Sequence, residues 1–78
     1  MDTKATIKDT VVKLLKVRPE ELKDDMTLEG SIGVDSTEMV EMVIALGKAF
    51  GVSLSAKEVT KFSTINDIEA VINAKINK

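Results

Sequence analysis

The sequence predicts an all-α domain: a four-helix bundle of three longer helices plus a short third helix, with a long loop between helices 1 and 2. Three observations support this prediction. Apolar residues recur at helical rather than strand spacing, capping residues stand where these segments begin, and the connections other than the one loop are short. With 78 residues, the chain is expected to form a single domain spanning residues 1–78, with a modest core.

The first predicted helix covers about residues 3–16, and Pro19 marks a point beyond its end. Its apolar stripe consists of Ile7, Val11, Leu14 and Leu15. Residues 17–35 show no sustained period and are rich in acids and glycine, so they are predicted to form a long loop, a feature that is often functional. The apolar residues expected to fix this loop to the core are Leu22, Leu28, Ile32 and Val34.

The second predicted helix has the clearest boundaries. Asp35 is a good N-cap, Glu38 stands three residues later as its capping-box partner, and Gly51 ends the helix. At helical spacing one face of this segment contains Met39, Val40, Val43, Leu46, Gly47 and Phe50. We expect this face to be buried.

Two further helices are predicted after Gly51. Ser55 and Glu58 form a capping box that starts a short third helix reaching about residue 61. Thr64 and Asp67 have the same spacing and start the fourth helix. The apolar stripe of the fourth helix consists of Ile65, Ile68, Val71 and Ile72.

The composition excludes several classes of protein. The chain has no cysteine and no histidine, which leaves no disulfide framework and no thiolate metal site. No apolar run is long enough to span a membrane, and the first residues do not resemble a signal peptide, so we expect a cytoplasmic protein. We also expect a monomer. Residues 19–41 contain eight acids against Lys23 alone, a net charge of −7 that favours basic partner surfaces over nucleic acid.

Ser36 is prominent at the head of the second helix, but it is a poor candidate for a catalytic nucleophile. A hydrolytic serine needs a base within hydrogen-bond reach, and the chain has no histidine. The nearest lysines in sequence, Lys23 and Lys48, belong to no recognisable catalytic motif. We therefore predict that the chain is not an enzyme and has no catalytic residue.

The segment before Ser36 has some features of a calcium-binding loop. Residues 25–36 have the length of an EF-hand loop and place Gly30 sixth. However, Thr27 stands third, where the loop has Asp or Asn, and Ser36 stands twelfth, where calcium needs a bidentate glutamate. We predict no dedicated metal site, only weak incidental binding of divalent cations. The pair Glu38 and Glu41 is expected to be solvated surface rather than an acid–base pair.

Ser36 is better suited to accept a phosphate ester. The first turn of a helix offers free N–H groups and a favourable dipole for negative charge, although a serine there often only caps the helix. The motif Gly33-Val34-Asp35-Ser36, followed by a helix with acids and apolar residues, resembles the acyl carrier protein family over nearly the whole chain. In that family the serine of a Gly-X-Asp-Ser-Leu motif carries 4′-phosphopantetheine through a phosphodiester.

The resemblance implies a carrier that presents acyl groups as thioesters on a 4′-phosphopantetheine arm at Ser36, with Asp35 beside it. The implied partners are a phosphopantetheinyl transferase, an acyl-chain cargo, and acyltransferase, synthase or ligase enzymes with basic docking patches. The side of the helix that would dock on them contains Thr37, Glu38, Glu41, Ile44 and Lys48. Candidates to line an acyl cavity are Ile7, Val11, Val40, Val43, Leu46, Phe62, Ile68 and Ile72, which are equally suited to ordinary core packing.

The chain departs from the family pattern at several positions. Thr37 replaces the usual leucine, Lys48 lies where the family often has acids, and Ser31 replaces an expected acid. These changes indicate a specialised carrier in fatty-acid, lipid or polyketide metabolism, while an aminoacyl or D-alanyl cargo would use the same mechanism. The alternative from another class is an unmodified helical adaptor that binds proteins through its acidic face.

Overall fold

The computed structural model describes residues 2–76, and these form a helical domain. Its α-helices are α1 (Thr3–Leu15), α2 (Leu28–Ile32), α3 (Ser36–Phe50) and α4 (Ile65–Ile76), with a 3-10 turn at Pro19–Glu21. Within these residues β-structure is limited to an isolated antiparallel bridge between Thr27 and Thr64. The predicted all-α class with four helices is confirmed. Helices α1 and α3 begin and end close to the predicted positions, and α4 begins directly after Thr64 as predicted.

The short helix lies elsewhere than predicted. It is α2, inside the segment that the sequence predicts as a loop, where the hydroxyl of Thr27 accepts the N–H of Gly30 at 3.0 Å. Gly33 ends α2 in the left-handed conformation with φ 65°, and its N–H donates to the carbonyl of Glu29 at 3.0 Å. A threonine cap and a glycine six residues later were visible in the sequence, but one and a half turns are too short to show a hydrophobic period.

The prediction of a short third helix over residues 55–61 was wrong. The N–H groups of Glu58 and Val59 both donate to the carbonyl of Ser55, which makes one turn. The N–H of Thr60 then donates to Ser63 Oγ at 3.1 Å instead of continuing a helix. A single turn does not repay the cost of helix nucleation, and a side-chain acceptor competes for the next backbone donor.

The core lies where α1 packs against both α3 and α4. Its fully buried side chains include Met42 and Val59 beside Ile7, Val11, Leu46, Ile65, Ile68 and Ile72. Leu22, Leu28 and Val34 are also buried and fix the α1–α3 connection to the core as expected, whereas Ile32 is only partly buried and packs against the core. The buried face of α3 consists of Met39, Met42, Val43 and Leu46, whereas Val40, predicted on that face, is 52% exposed because the helix is rotated toward Met42.

Candidate functional site

Ser36 is the exposed first residue of α3, and it stands inside a capping box that does not use its side chain. Asp35 Oδ1 accepts the N–H of Glu38 at 2.8 Å, and Glu38 Oε1 accepts the N–H of Asp35 at 3.1 Å. These two bonds give the N–H groups of Asp35 and Glu38 their acceptors, and both acceptors are side chains of residues other than the serine. The hydroxyl of Ser36 is therefore not needed for the cap.

The short connection between α2 and α3 fixes the position of Ser36. Gly33 turns the chain with a positive φ that favours glycine, and the next residue, Val34, is only 3% exposed and lies in the core. Asp35 is extended and caps α3. The serine is therefore held between two helix ends, with its side chain at the surface.

The start of α3 favours a negatively charged group. The Glu38 N–H is bound by the Asp35 carboxylate and the Met39 N–H by the Asp35 carbonyl at 3.0 Å. The two earlier N–H groups of the helix, those of Ser36 and Thr37, are the donors that a first turn leaves without intrahelical partners. A 15-residue helix also directs the positive end of its dipole toward this point.

A pocket of about 320 Å³ adjoins Ser36. Its walls come from the first turns of α3 and from the segment that follows Ser55, and they are Ser36, Met39, Val40, Ala56, Val59, Thr60, Lys61 and Phe62. Most of these side chains are apolar, and Lys61 is the charged residue among them. Phe62, at 62% exposed, and Val40 form its outer part.

The structure divides the eight residues predicted to line an acyl cavity. Val40 and Phe62 are exposed and line the pocket beside Ser36. The other six are buried in the core: Ile7, Val11, Val43, Leu46, Ile68 and Ile72. Sequence reasoning did not identify Ala56, Val59 or Lys61 as neighbours of the serine, and the capping box at Ser55 was the available signal that this segment is structured.

The residues predicted for partner docking lie along α3. Thr37, Glu41, Ile44 and Lys48 are exposed, and their spacing of four, three and four residues places them on one side of the helix. Ile44 is 54% exposed, so it is an apolar side chain on this surface rather than part of the core. Glu38 is half-buried, and its carboxylate is already used in the capping box.

The site residues fit a phosphopantetheine group. A free, exposed hydroxyl at a helix start suits a phosphodiester, and the adjoining apolar pocket suits an uncharged arm. An EF-hand does not fit, because α2 passes through the middle of residues 25–36. Residues 2–76 also contain no group of three or more Asp and Glu side chains arranged to hold a metal ion. None of the helices in this part of the chain has the length and apolar character needed to cross a membrane.

Comparison with known proteins shows the family of this chain. Residues 5–72 match the family described as "Phosphopantetheine attachment site". The chain is 37% identical to the acyl carrier protein of Wolinella succinogenes over 62 residues, which cover 80% of this chain and 82% of that protein. It is 33% identical over 78 residues to the acyl carrier protein of Campylobacter hominis, covering 100% and 98% of the two chains.

The acyl carrier protein of Helicobacter hepaticus is 34% identical over 74 residues, covering 95% of this chain and 97% of that protein. The match therefore extends over whole proteins and is not confined to the motif around the serine. The fold and site define a phosphopantetheine-attachment domain. The chain belongs to the acyl carrier protein family, and 4′-phosphopantetheine is its prosthetic group.

Proposed function

We propose that this protein carries acyl groups on 4′-phosphopantetheine attached to Ser36 Oγ. The observation that supports this most strongly is that Ser36 is exposed at the start of α3, while Asp35 and Glu38 alone make the cap. A serine that served as the cap would lose that role on modification. Here the hydroxyl can be esterified without removing a bond that the helix needs.

The protein's own residues bind and orient, and they supply no catalysis. The bound group would supply a thiol that holds the acyl chain as a thioester. Asp35 and Glu38 hold the backbone on either side of the serine, and Gly33 sets the turn that presents it. Because the chain has no histidine or cysteine, the acyl transfers are proposed to occur on separate enzymes.

The cargo is proposed to enter beside Val40 and Phe62. These exposed apolar side chains border the pocket, and Met39 and Val59 at its inner wall belong to the core. A long acyl chain could reach the six buried cavity candidates only by separating α3 from the rest of the core. Loading with chains of increasing length should therefore raise the melting temperature, and a constant melting temperature would exclude burial of the cargo.

Partner enzymes are proposed to bind the exposed side of α3. Glu41 provides negative charge, Ile44 an apolar contact, and Lys48 a positive charge near the end of the helix. A partner that fits this surface would present basic residues toward Glu41 and an acidic or neutral residue toward Lys48. The proposed partners are a phosphopantetheinyl transferase and acyltransferase, synthase or ligase enzymes. A cytoplasmic location and a monomeric state stay predictions.

The pathway is proposed to be a specialised branch of fatty-acid, lipid or polyketide metabolism, and aminoacyl or D-alanyl cargo remains an alternative within the same mechanism. Thr37 and Lys48 support a specialised partner set because both lie exposed on the docking side. The test is to supply a housekeeping fatty-acid synthase with this protein in place of its usual carrier. We expect chain elongation to be slower with this protein than with the usual carrier. Equal rates would contradict specialisation.

The experiment that tests the attachment site is intact mass spectrometry after incubation with coenzyme A and a broad-specificity phosphopantetheinyl transferase. We expect one phosphopantetheine on the wild type, none on Ser36→Ala, and one on Ser53→Ala, which changes an exposed serine outside the motif. Failure of several transferases to modify the wild type would favour the unmodified adaptor, which should also tolerate Ser36→Ala in cells.

A further inference from the structure

Lys61 is the charged side chain of the pocket that it shares with Ser36. Its Nζ lies 3.2 Å from Glu29 Oε2, and it lies 5.5 Å from the centre of the Phe62 ring. The Lys61 side chain is 35% exposed and that of Glu29 is 49% exposed. An ion pair between such partly exposed groups is weak and can be exchanged for another partner.

Backbone hydrogen bonds hold the two segments together without this ion pair. The N–H of Glu29 donates to the carbonyl of Lys61 at 2.9 Å, and the N–H of Leu28 donates to the carbonyl of Ser63 at 3.0 Å. The start of α2 is therefore docked on residues 61–63 by its main chain. The ammonium group of Lys61 can move from Glu29 without undocking α2.

We infer that Lys61 is a positioning residue for the phosphate of the prosthetic group, and that it exchanges Glu29 for this phosphate when Ser36 is modified. The inference rests on the proposed attachment at Ser36. A phosphodiester there would place a negative charge at a pocket whose one charged wall residue is a cation. A phosphate on Ser36 would follow Asp35 directly in the chain and stand two residues before Glu38, so an ammonium group in the shared pocket would offset its repulsion by these two capping carboxylates.

The exchange gives the modified protein a different surface. In the unmodified protein the Glu29 carboxylate is neutralised by Lys61, whereas after the exchange it is an unpaired acid on α2. A partner with a basic patch near Ser36 would then meet one more negative charge on the modified form. Lys61 thus allows partners to distinguish the two forms beside the attachment point.

The exchange is tested by measuring Lys61 and Glu29 in both forms, after mass spectrometry has confirmed the modification. In ¹⁵N-labelled protein we expect the Nζ resonance of Lys61 to shift on modification and that of Lys57, an exposed lysine outside the pocket wall, to stay unchanged. We expect Glu29→Gln to lower the unfolding midpoint by about 1–4 °C before modification and by less than about 1 °C after it.

A conservative series separates positioning from a structural role. In a Lys61→Arg background, Glu29→Gln should still lower the unfolding midpoint more before modification than after it. In a Lys61→Gln background, the effect of Glu29→Gln should be the same in both forms, although Ser36 should still accept the group. If the wild type is modified but its Lys61 Nζ resonance does not move and Glu29→Gln acts equally in both forms, the exchange is wrong and the attachment site stands. If the wild type accepts no group at all, the attachment proposal fails and the exchange fails with it.

Discussion

The carboxylate of Asp35 binds the N–H of Glu38 at 2.8 Å, and the carboxylate of Glu38 binds the N–H of Asp35 at 3.1 Å. This reciprocal pair encloses Ser36 and Thr37 without using either side chain. The capping of the helix therefore does not depend on the hydroxyl of Ser36.

Replacing Asp35 should destabilise the protein, whereas replacing Ser36 should not. Asp35→Ala removes the acceptor for the Glu38 N–H and should lower the free energy of unfolding by about 1 kcal/mol. Ser36→Ala removes no capping bond and should change it by less than about 0.5 kcal/mol. Urea unfolding measures both, with Asp35→Ser as the control that keeps a capping oxygen. A larger loss for Ser36→Ala would show that its hydroxyl supports the cap.

Gly47→Ala should destabilise α3 although alanine is the better helix former. A Cβ at Gly47 would lie 2.9 Å from the carbonyl oxygen of Val52, and the Val52 N–H donates to the Gly47 carbonyl at 3.0 Å. The chain after α3 thus folds back onto this glycine. We expect a loss of about 1–2 kcal/mol, because moving a backbone segment costs more than the helical propensity returns.

The control for Gly47 is its exposed neighbour Lys48. Lys48→Ala should leave the free energy of unfolding nearly unchanged, because the Lys48 side chain is exposed. A gain in stability for Gly47→Ala in thermal or urea unfolding would mean that residues 52–54 shift away at little cost.

Lys16→Gly should stabilise the protein. Lys16 ends α1 with φ 56°, the left-handed conformation that disfavours a side chain. Glycine removes this strain, and after subtracting the greater entropy of the unfolded chain the gain should be about 0.5–1 kcal/mol. Ala5→Gly, at an exposed position inside α1, should instead cost about 1 kcal/mol. If both glycines lower the melting temperature, the strain at Lys16 is absent.

Acid should weaken the ion pairs that join Asp24, in the connection between α1 and α3, to the lysines of α1. Asp24 forms ion pairs with Lys8 and with Lys4, and its backbone carbonyl accepts the N–H of Asn66 at 3.2 Å. The hydrogen bond from Lys8, reinforced by Lys4, lowers the pKa of Asp24 below its ordinary value against a partly opposing effect of burial. A lowered folded-state pKa means that the stabilisation is complete above the unfolded pKa, near 3.8, and is lost as the pH falls through the lower folded value.

Asp24→Asn measures this contribution. The variant should melt below the wild type near neutral pH, and the difference should shrink in acid once Asp24 is protonated in the wild type as well. Asp25→Asn, at the exposed next residue outside this group of ion pairs, serves as the control. A difference between wild type and Asp24→Asn that persists unchanged at low pH would show that the charge of Asp24 is not involved.

Local signals predicted most of the fold. The capping boxes at Asp35 and Thr64 fixed the starts of α3 and α4, since each depends on residues only three apart, and Thr64 and Asp67 do exchange hydrogen bonds at 3.0 Å. The same spacing at Ser55 predicted a helix that does not form, because the next donor, the Thr60 N–H, binds Ser63 Oγ. A capping box therefore marks a turn, and only the residues beyond it decide whether a helix continues.

Contacts between distant segments could not be predicted from the sequence. The orientation of α3 depends on which of Val40 and Met42 the other helices cover, and helical spacing places both near the boundary of the buried face. The pairing of Glu29 with Lys61 joins residues far apart in sequence, and no local pattern indicates it. The position of Ser36 at the start of α3 could be predicted because the capping box is local, whereas the pocket beside it could not.

The main-chain hydrogen bonds from Leu28 and Glu29 to Ser63 and Lys61 affect how the surface beside Ser36 can change during evolution. Because these bonds belong to the peptide backbone, most amino-acid replacements at the same positions leave them intact. The charge and shape beside Ser36 can therefore be altered by mutation while the framework that positions the serine persists. A protein built this way can acquire new enzyme partners through a few surface changes without first losing its fold.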